Sequence, residues 1–276
     1  MVMESQLLMK EKMIEPVSQV EELSPESREE ALACIAEEFV PPDKHSQFIT
    51  GALRCLETSP TQVLSAPEVN QRGACLLGLR DPSTNRLIGT SLVKFYGKKL
   101  ISPQLYFQVD PEADSICLAP FGDLCCIAGV PTSAQVMAEY AYFWVDPKYR
   151  GKGHGRLLSD TRRQMVHSVF EEHAGGIFVL VNVPREIAQA GEDVFRYLLK
   201  QEGDVNGVDA SGRVRVLGGR YSLSGTFKEM GLPDQYTVPS VDRNAAPNKH
   251  ILEGYGMRVV GMSRNLAPVY MQAING

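Results

Sequence analysis

One short stretch concentrates side chains that could do chemistry. Arg150, Lys152, His154 and Arg156 are interleaved with Gly151, Gly153 and Gly155. Glycine lets a backbone approach a ligand closely. The first N–H groups of a helix have no intrahelical partner, and the helix dipole favours negative charge there. Cations around such a helix start suit a multiply charged oxyanion, and we read the loop as a cradle for a pyrophosphate. His154 has a second reading as a solvent-facing loop residue. Upstream, Glu139 opens the run Glu-Tyr-Ala-Tyr-Phe-Trp-Val. A carboxylate there could take a proton as a general base. Strict alternation puts Glu139, Ala141, Phe143 and Val145 on one strand face, where an idle carboxylate would be costly to bury. The competing reading is a solvated glutamate at a strand start. Asp242 and His250 are further candidates for handling protons. His45, His167 and His173 show no metal-ligand spacing, so no metal is expected.

The elements that must position these residues follow from the flanking pattern. Tyr140 to Val145 is aromatic and β-branched, which predicts a strand. Asp146-Pro147 stops it, because proline cannot continue a ladder. A helix is expected from Arg156 to about Phe170, with Leu158, Met165 and Val169 on one face. Gly175-Gly176 ends that region, and Ile177 to Val183 reads as a strand buried on both faces.

Earlier in the chain, Met13 to Val20 reads as a first strand interrupted by Pro16. Ser24-Pro25 starts a helix, with Ser at the cap and Pro at the first helical position. Ala31, Leu32, Ile35 and Phe39 form its stripe, and Pro41-Pro42 ends it. A second helix is expected from about Asp43 to Leu56, with Phe48, Ile49, Leu53 and Leu56 inward. Ala74 to Leu79 and Leu87 to Phe95 read as a hairpin around the turn Arg-Asp-Pro-Ser-Thr-Asn-Arg. Residues 96–138 read as an insertion with some strand. Past residue 184, a helix is expected over Val194 to Lys200, then a glycine-rich loop, a helix from Asn244 to Gly254, and strands at Met257 to Met262 and Pro268 to Gln272.

Composition narrows the class. The chain has 276 residues, 43% hydrophobic and 22% charged, as in an ordinary globular protein. A net charge of −5 argues against general nucleic-acid binding, which needs a basic face. The six cysteines form no C-x-x-C pair and read as buried free thiols in a reducing compartment. No apolar run approaches the roughly 20 residues a membrane span needs. The first residues lack the apolar core of a signal peptide, so a cytoplasmic location is expected.

The R-x-x-G-x-G spacing of Arg150, Gly153 and Gly155, after a strand ending Val-Asp-Pro-Lys-Tyr, resembles the acyl-CoA pyrophosphate loop of the GNAT superfamily of acyltransferases. A dinucleotide fingerprint does not fit, since the sixth position counted from Gly151 is Arg156, and no G-x-x-x-x-G-K-[ST] occurs. Ile251 to Arg258 resembles the superfamily's closing helix-to-strand segment, commonly tyrosine, glutamate, two residues, glycine and phenylalanine. Glu253, Gly256 and Met257 match it. Leu252 stands where a tyrosine often protonates the leaving thiolate, and Tyr255 lies on a different helix face. A narrower similarity is to the bacterial arginine N-succinyltransferase family: a glutamate-led strand runs into Val-Asp-Pro, and the closing helix has Ala246-Pro247 and Leu252-Glu253. Asp242 falls near the position where that family has a histidine.

The resemblance implies an α+β fold, a mixed and largely antiparallel sheet flanked by helices. It implies one GNAT-like domain over residues 1–276, with insertions at about 96–138 and 184–242 that shape the acceptor pocket. It implies acyl transfer from acyl-CoA, acetyl-CoA first among donors, to an amine of a small molecule by direct attack, with Glu139 as the base. Backbone groups at Trp144 and Val145 would bind the pantetheine arm, and the loop from Arg150 to Arg156 the pyrophosphate. No nucleic-acid or membrane partner is expected, and a homodimer is left open. The alternatives are an acyl-CoA-binding module without turnover, transfer to a protein amine or a hydroxyl, and a structural protein that only borrows the fold.

Overall fold

Apolar runs that cannot be left in water pair into one sheet in the computed structural model, which describes residues 19–66, 72–97, 104–110, 112–171, 173–201, 219–233 and 245–274. In chain order the strands are β1 (Gln19–Glu22), β2 (Arg72–Arg80), β3 (Leu87–Gly97), β4 (Leu105–Asp110), β5 (Ser115–Pro120), β6 (Val136–Val145), β7 (Gly175–Leu180), β8 (Tyr221–Ser222), β9 (Arg258–Met262) and β10 (Pro268–Ile274). The helices are α1 (Pro25–Phe39), α2 (His45–Leu56), α3 (Pro60–Ser65), α4 (Phe121–Ala128), α5 (His154–Val169), α6 (Arg185–Gln201), α7 (Leu223–Glu229) and α8 (Ala246–Gly254). The strand order is β1-β2-β3-β6-β7-β10-β9-β4-β5-β8. Among the described residues every neighbouring pair is antiparallel except β6–β7. Parallel neighbours need a crossover, and α5 supplies it. The fold class is the one expected: α+β, a largely antiparallel sheet flanked by helices.

The β2–β3 hairpin forms as its turn chemistry dictates. Asp81 Oδ1 accepts from the backbone N–H and hydroxyl of Ser83 at 2.8 and 2.6 Å. α1 starts behind Ser24 with Pro25 in its first turn. α3 was not expected, although Ser59-Pro60-Thr61-Gln62 carries its signal. Ser59 Oγ accepts from Gln62 N at 3.3 Å, and Gln62 Oε1 accepts from Ser59 N at 2.7 Å, a reciprocal cap.

Three expected element boundaries need correction. Gly175 and Gly176 belong to β7 instead of ending the region before it, because they pair with Val136 and Met137 of β6 and with Ile274 and Ala273 of β10. The same strand stops at Leu180, short of Val183. α6 begins at Arg185, well before Val194. Residues 13–18, Asp242, Asn244 and the glycine-rich loop after Gln201 lie outside the described residues.

The insertions sit away from their chain neighbours. β4 and β5 join the far edge of the sheet through Phe107 opposite Met262, and β8 pairs with β5. There Phe107, Ile116 and Leu118 pack with Val194 and Leu198 of α6 and with Phe227 of α7. The β4–β5 part of the first insertion and the described part of the second therefore cover each other. Nearer the middle, α5 and α8 cover one sheet face, with Val166, Phe170 and Leu252 on Phe95, Tyr140 and Val179. On the opposite face α1 and α2 cover β2 and β3, and α4 covers β7, β9 and β10. All six cysteines are free; Cys75 and Cys125 are buried, whereas Cys126 is exposed, against expectation. Among the described residues no helix is long and apolar enough to cross a membrane.

Candidate active site

The site begins with a fault in β6. Leu92 stands opposite Tyr142 and Val93 opposite Tyr140, so Ala141 is an extra residue, a β-bulge. Ser91 Oγ donates to the Tyr142 carbonyl beside it at 3.2 Å. The bulge changes which residues share a face. Ala138 and Tyr140 pack with the α5 and α8 side, and after the bulge Phe143 and Val145 continue that side against Leu158. Tyr142 and Trp144 turn to α1 and α2, where Phe48 meets the Tyr142 ring edge-on at 5.1 Å. Lys94 lies over the same Tyr142 ring at 5.3 Å and reaches Glu139 Oε2 at 3.8 Å. Glu139 thus faces the side of Tyr142 and Trp144. Simple alternation, which grouped it with Phe143 and Val145, fails at the bulge.

The second feature is a parting of strands. β6 pairs with β7 only from Val136 to Glu139. Beyond that point the two parallel strands diverge, and a cleft of about 860 Å³ opens between them. Tyr140, Tyr142 and Val145 line one wall, and Val179, Val181 and Asn182 line the other. Phe39 at the end of α1 and Asn248 and Ile251 of α8 complete it from opposite faces of the sheet. Trp144 is not among the lining residues; its side chain packs in the α1–α2 cluster. The Val145 carbonyl is already used, accepting from Arg150 Nε at 2.8 Å.

The glycine-rich loop closes the outer end of this cleft. Asp146 shapes its entry, accepting from Lys148 N at 2.9 Å and pairing with Arg86 at 3.0 Å. Gly151 and Gly153 have φ of 76° and 86°, and nothing lies within 4 Å of where their Cβ atoms would be. Conformation, not crowding, requires glycine there. Gly153 caps α5, whose first turn starts at His154. Gly155 faces the Phe143 ring, 3.7 Å from its would-be Cβ.

The cations of the loop are more committed than their sequence suggested. The Arg150 guanidinium grips both carboxylate oxygens of Glu38 on α1, at 2.8 and 2.9 Å. Lys152 lies 5.5 Å above the Tyr149 ring, and His154 meets that ring edge-on at 5.8 Å. Tyr149 in turn donates to Asp81 Oδ2 at 2.6 Å. Arg156 stands 3.4 Å from Asp160 and 5.9 Å over the Tyr255 ring. Arg150, Gly151 and Gly155 line the cleft; Lys152, Gly153, His154 and Arg156 sit around the helix start without lining it.

The proton-handling groups divide in two. Glu139 Oε2 accepts a 2.5 Å hydrogen bond from the Tyr96 hydroxyl. Burial, and then the negative charge of Glu139, hold the Tyr96 hydroxyl well above its ordinary pKa, so it stays a donor. At the closing helix, Leu252 is fully buried. Tyr255 donates to Asp160 Oδ1 and lies under Arg163 at 4.8 Å, away from the lining. Glu253 accepts from the Tyr270 hydroxyl at 3.2 Å and so fastens α8 to β10. His250 is exposed, and His45 is bonded to the Val40 carbonyl at 2.8 Å. Among the described residues no three His, Cys, Asp or Glu side chains form a metal-binding group.

Of the lining residues that escaped the sequence reading, two bear on the chemistry. Tyr140 was read only as part of a strand. Arg162 was not read at all, although it falls one helical turn from both Leu158 and Val166 on the apolar stripe of α5. That spacing was the available signal. Arg162 is 1% exposed, with its guanidinium 4.0 Å from the centroid of Tyr140 and 5.0 Å from that of Phe143. Among the described residues its nitrogens meet only hydroxyls, Ser91 at 3.3 Å and Ser159 at 3.2 Å. Burial pushes its pKa down to about 10, which leaves it a cation at neutral pH.

No protein-family model and no curated protein sequence matches the chain. Solved structures do. Arginine/ornithine succinyltransferase subunit AI from Pseudomonas aeruginosa superposes with a TM-score of 0.53 at 13% identity, over 91% of this chain and 75% of its own. An aminoglycoside 6'-N-acetyltransferase complexed with coenzyme A gives 0.39 at 10% identity, over 93% of this chain and 96% of its own. A GNAT-family acetyltransferase from Staphylococcus aureus Mu50 gives 0.35 at 12%, over 94% and 100%. The chain thus shares its overall fold with the arginine/ornithine succinyltransferase subunit.

Proposed function

We propose that the protein transfers an acyl group from acyl-CoA, with acetyl-CoA as the first donor to try, to an amine of a small molecule. The observation that carries this reading is the cleft between β6 and β7, which ends at the glycine-rich start of α5. A pyrophosphate at Arg150 to Arg156 would leave the pantetheine arm to run along the open edge of β6, past Val145 and Trp144. The thioester would then lie near the bulge at Ala141, two residues beyond Glu139.

In this reading Glu139 takes the proton from the attacking amine. Lys94 and the Tyr96 hydroxyl hold its carboxylate in place from the same side of the sheet. Holding amine and thioester together supplies much of the rate, and the base supplies a further factor of about 10²–10⁴. Similarity to an arginine/ornithine succinyltransferase subunit supports a small-molecule acceptor. The buried Leu252, where an acid was expected, favours one rival, a module that binds acyl-CoA without turnover.

The test is thiol release from acetyl-CoA and longer acyl-CoA donors over a panel of amino acids, polyamines, peptides and alcohols. Glu139→Gln should keep acyl-CoA affinity within about twofold and lower turnover by about 100-fold or more. Binding without thiol release over the whole panel would select the module instead. Release only with peptides or alcohols would move the acceptor to those classes.

A further inference from the structure

Among the described residues, five buried side-chain polar atoms have no hydrogen-bond partner. Three of them belong to residues that line the cleft: the Tyr140 hydroxyl, Arg162 Nε and Asn248 Oδ1. A buried hydroxyl without a partner is costly, and most native structures avoid it. Tyr140 is the case that stands out. It is 1% exposed, it lies at the deep end of the cleft where β6 leaves β7, and it packs in one cluster with Leu252. The position where a tyrosine is common in the superfamily therefore holds a leucine, and Tyr140 of β6 belongs to the same core cluster.

We propose that Tyr140 is the general acid of the acyl transfer, donating its hydroxyl proton to the coenzyme A thiolate as it leaves. This rests on the acyl-transfer reading above. The amine nitrogen attacks the thioester carbon, forming the C–N bond and sending the carbonyl electron pair to oxygen. When that pair returns, the C–S bond breaks and its electrons go to sulfur. The Tyr140 proton passes to sulfur and gives a free thiol. The amine's surplus proton, taken up by Glu139, returns through solvent to the phenolate, so one thioester and one amine become one amide and one thiol. Burial holds the Tyr140 hydroxyl above its ordinary pKa, and the Arg162 guanidinium, 4.0 Å from the ring centroid, partly offsets this by favouring the phenolate during that interval. Bonded only to Ser91 and Ser159, it has no carboxylate to spend its charge on among the described residues.

Tyr140→Phe tests this cleanly, because the hydroxyl makes no hydrogen bond that the variant would lose. The expected result has three parts: kcat falls by about 10²-fold, acyl-CoA affinity by calorimetry stays within about twofold, and the melting temperature is equal to or above that of the wild type. A purely structural tyrosine would keep kcat per folded molecule, with affinity and melting temperature likewise unchanged. A variant with kcat within about twofold of wild type would overturn the proposal while leaving the acyl-transfer reading intact. Failure of the wild-type protein to release thiol with any donor and acceptor would overturn both.

Discussion

Gly151 and Gly153 show how much a single residue type can require. Both hold positive φ with open space around them. An alanine there meets no clash with a neighbour, only the backbone penalty of the left-handed region, about 1–2 kcal/mol. Gly153→Ala should lower unfolding stability by about that amount in a denaturant melt and weaken acyl-CoA binding, because the loop would relax away from the helix start. Asp81 gives a pH prediction. Hydrogen bonds from Ser83, and then from Tyr149, lower its pKa from the ordinary 3.8 to about 2. The folded protein holds this carboxylate charged more readily than the unfolded chain does, so its contribution is present above pH 4 and is lost as pH falls through 2. Asp81→Asn should remove that part of the acid limb in a stability-versus-pH curve.

At the scale of elements, the loop is tied to α1 as well as to α5. The Arg150–Glu38 pair is partly exposed, and such pairs contribute about 0–1 kcal/mol. Glu38→Ala should hardly move the melting temperature. Arg150→Ala should weaken acyl-CoA binding measurably, while Glu38→Ala leaves it equal or tighter. Equal losses from both variants would assign Arg150 to holding α1 instead of phosphate. The bulge at Ala141 belongs to this scale too. One extra residue turns the strand over, puts Glu139 with Tyr96 and Lys94, and leaves Tyr140 to face α5 and α8.

The whole molecule separates its chemistry from much of its added mass. The β4–β5 part of the first insertion and the described part of the second meet at the far edge of the sheet, around Phe107 and Phe227, and among the described residues of both insertions only Arg185 reaches the cleft. The expectation that both insertions shape an acceptor pocket finds no support in these segments. Phe107→Ala should cost about 3–5 kcal/mol through the cavity it leaves. Acyl-CoA affinity of the remaining folded protein should not change, which a melt and a titration on one sample would check.

Much of the site was legible in the sequence because its determinants are local. The spacing of Arg150, Gly153 and Gly155, the stop at Asp146-Pro147 and the periods of two and 3.6 residues fixed the loop, β6 and α5 before any contact was known. Glu139 could be placed on the strand, but not on a face, because a bulge depends on how β3 and β6 come to register. The parting of β6 from β7 was likewise invisible, since nothing within either strand records where its neighbour leaves it. The far-edge placement of β4 and β5 and the meeting of Tyr140, Arg162 and Leu252 join residues distant in the chain. Local sequence thus determined the anion-binding loop and the strand–helix order. Tertiary packing alone decided which side chains face the cleft, because burial and unmet hydrogen bonds are properties of the assembled sheet and its covering helices.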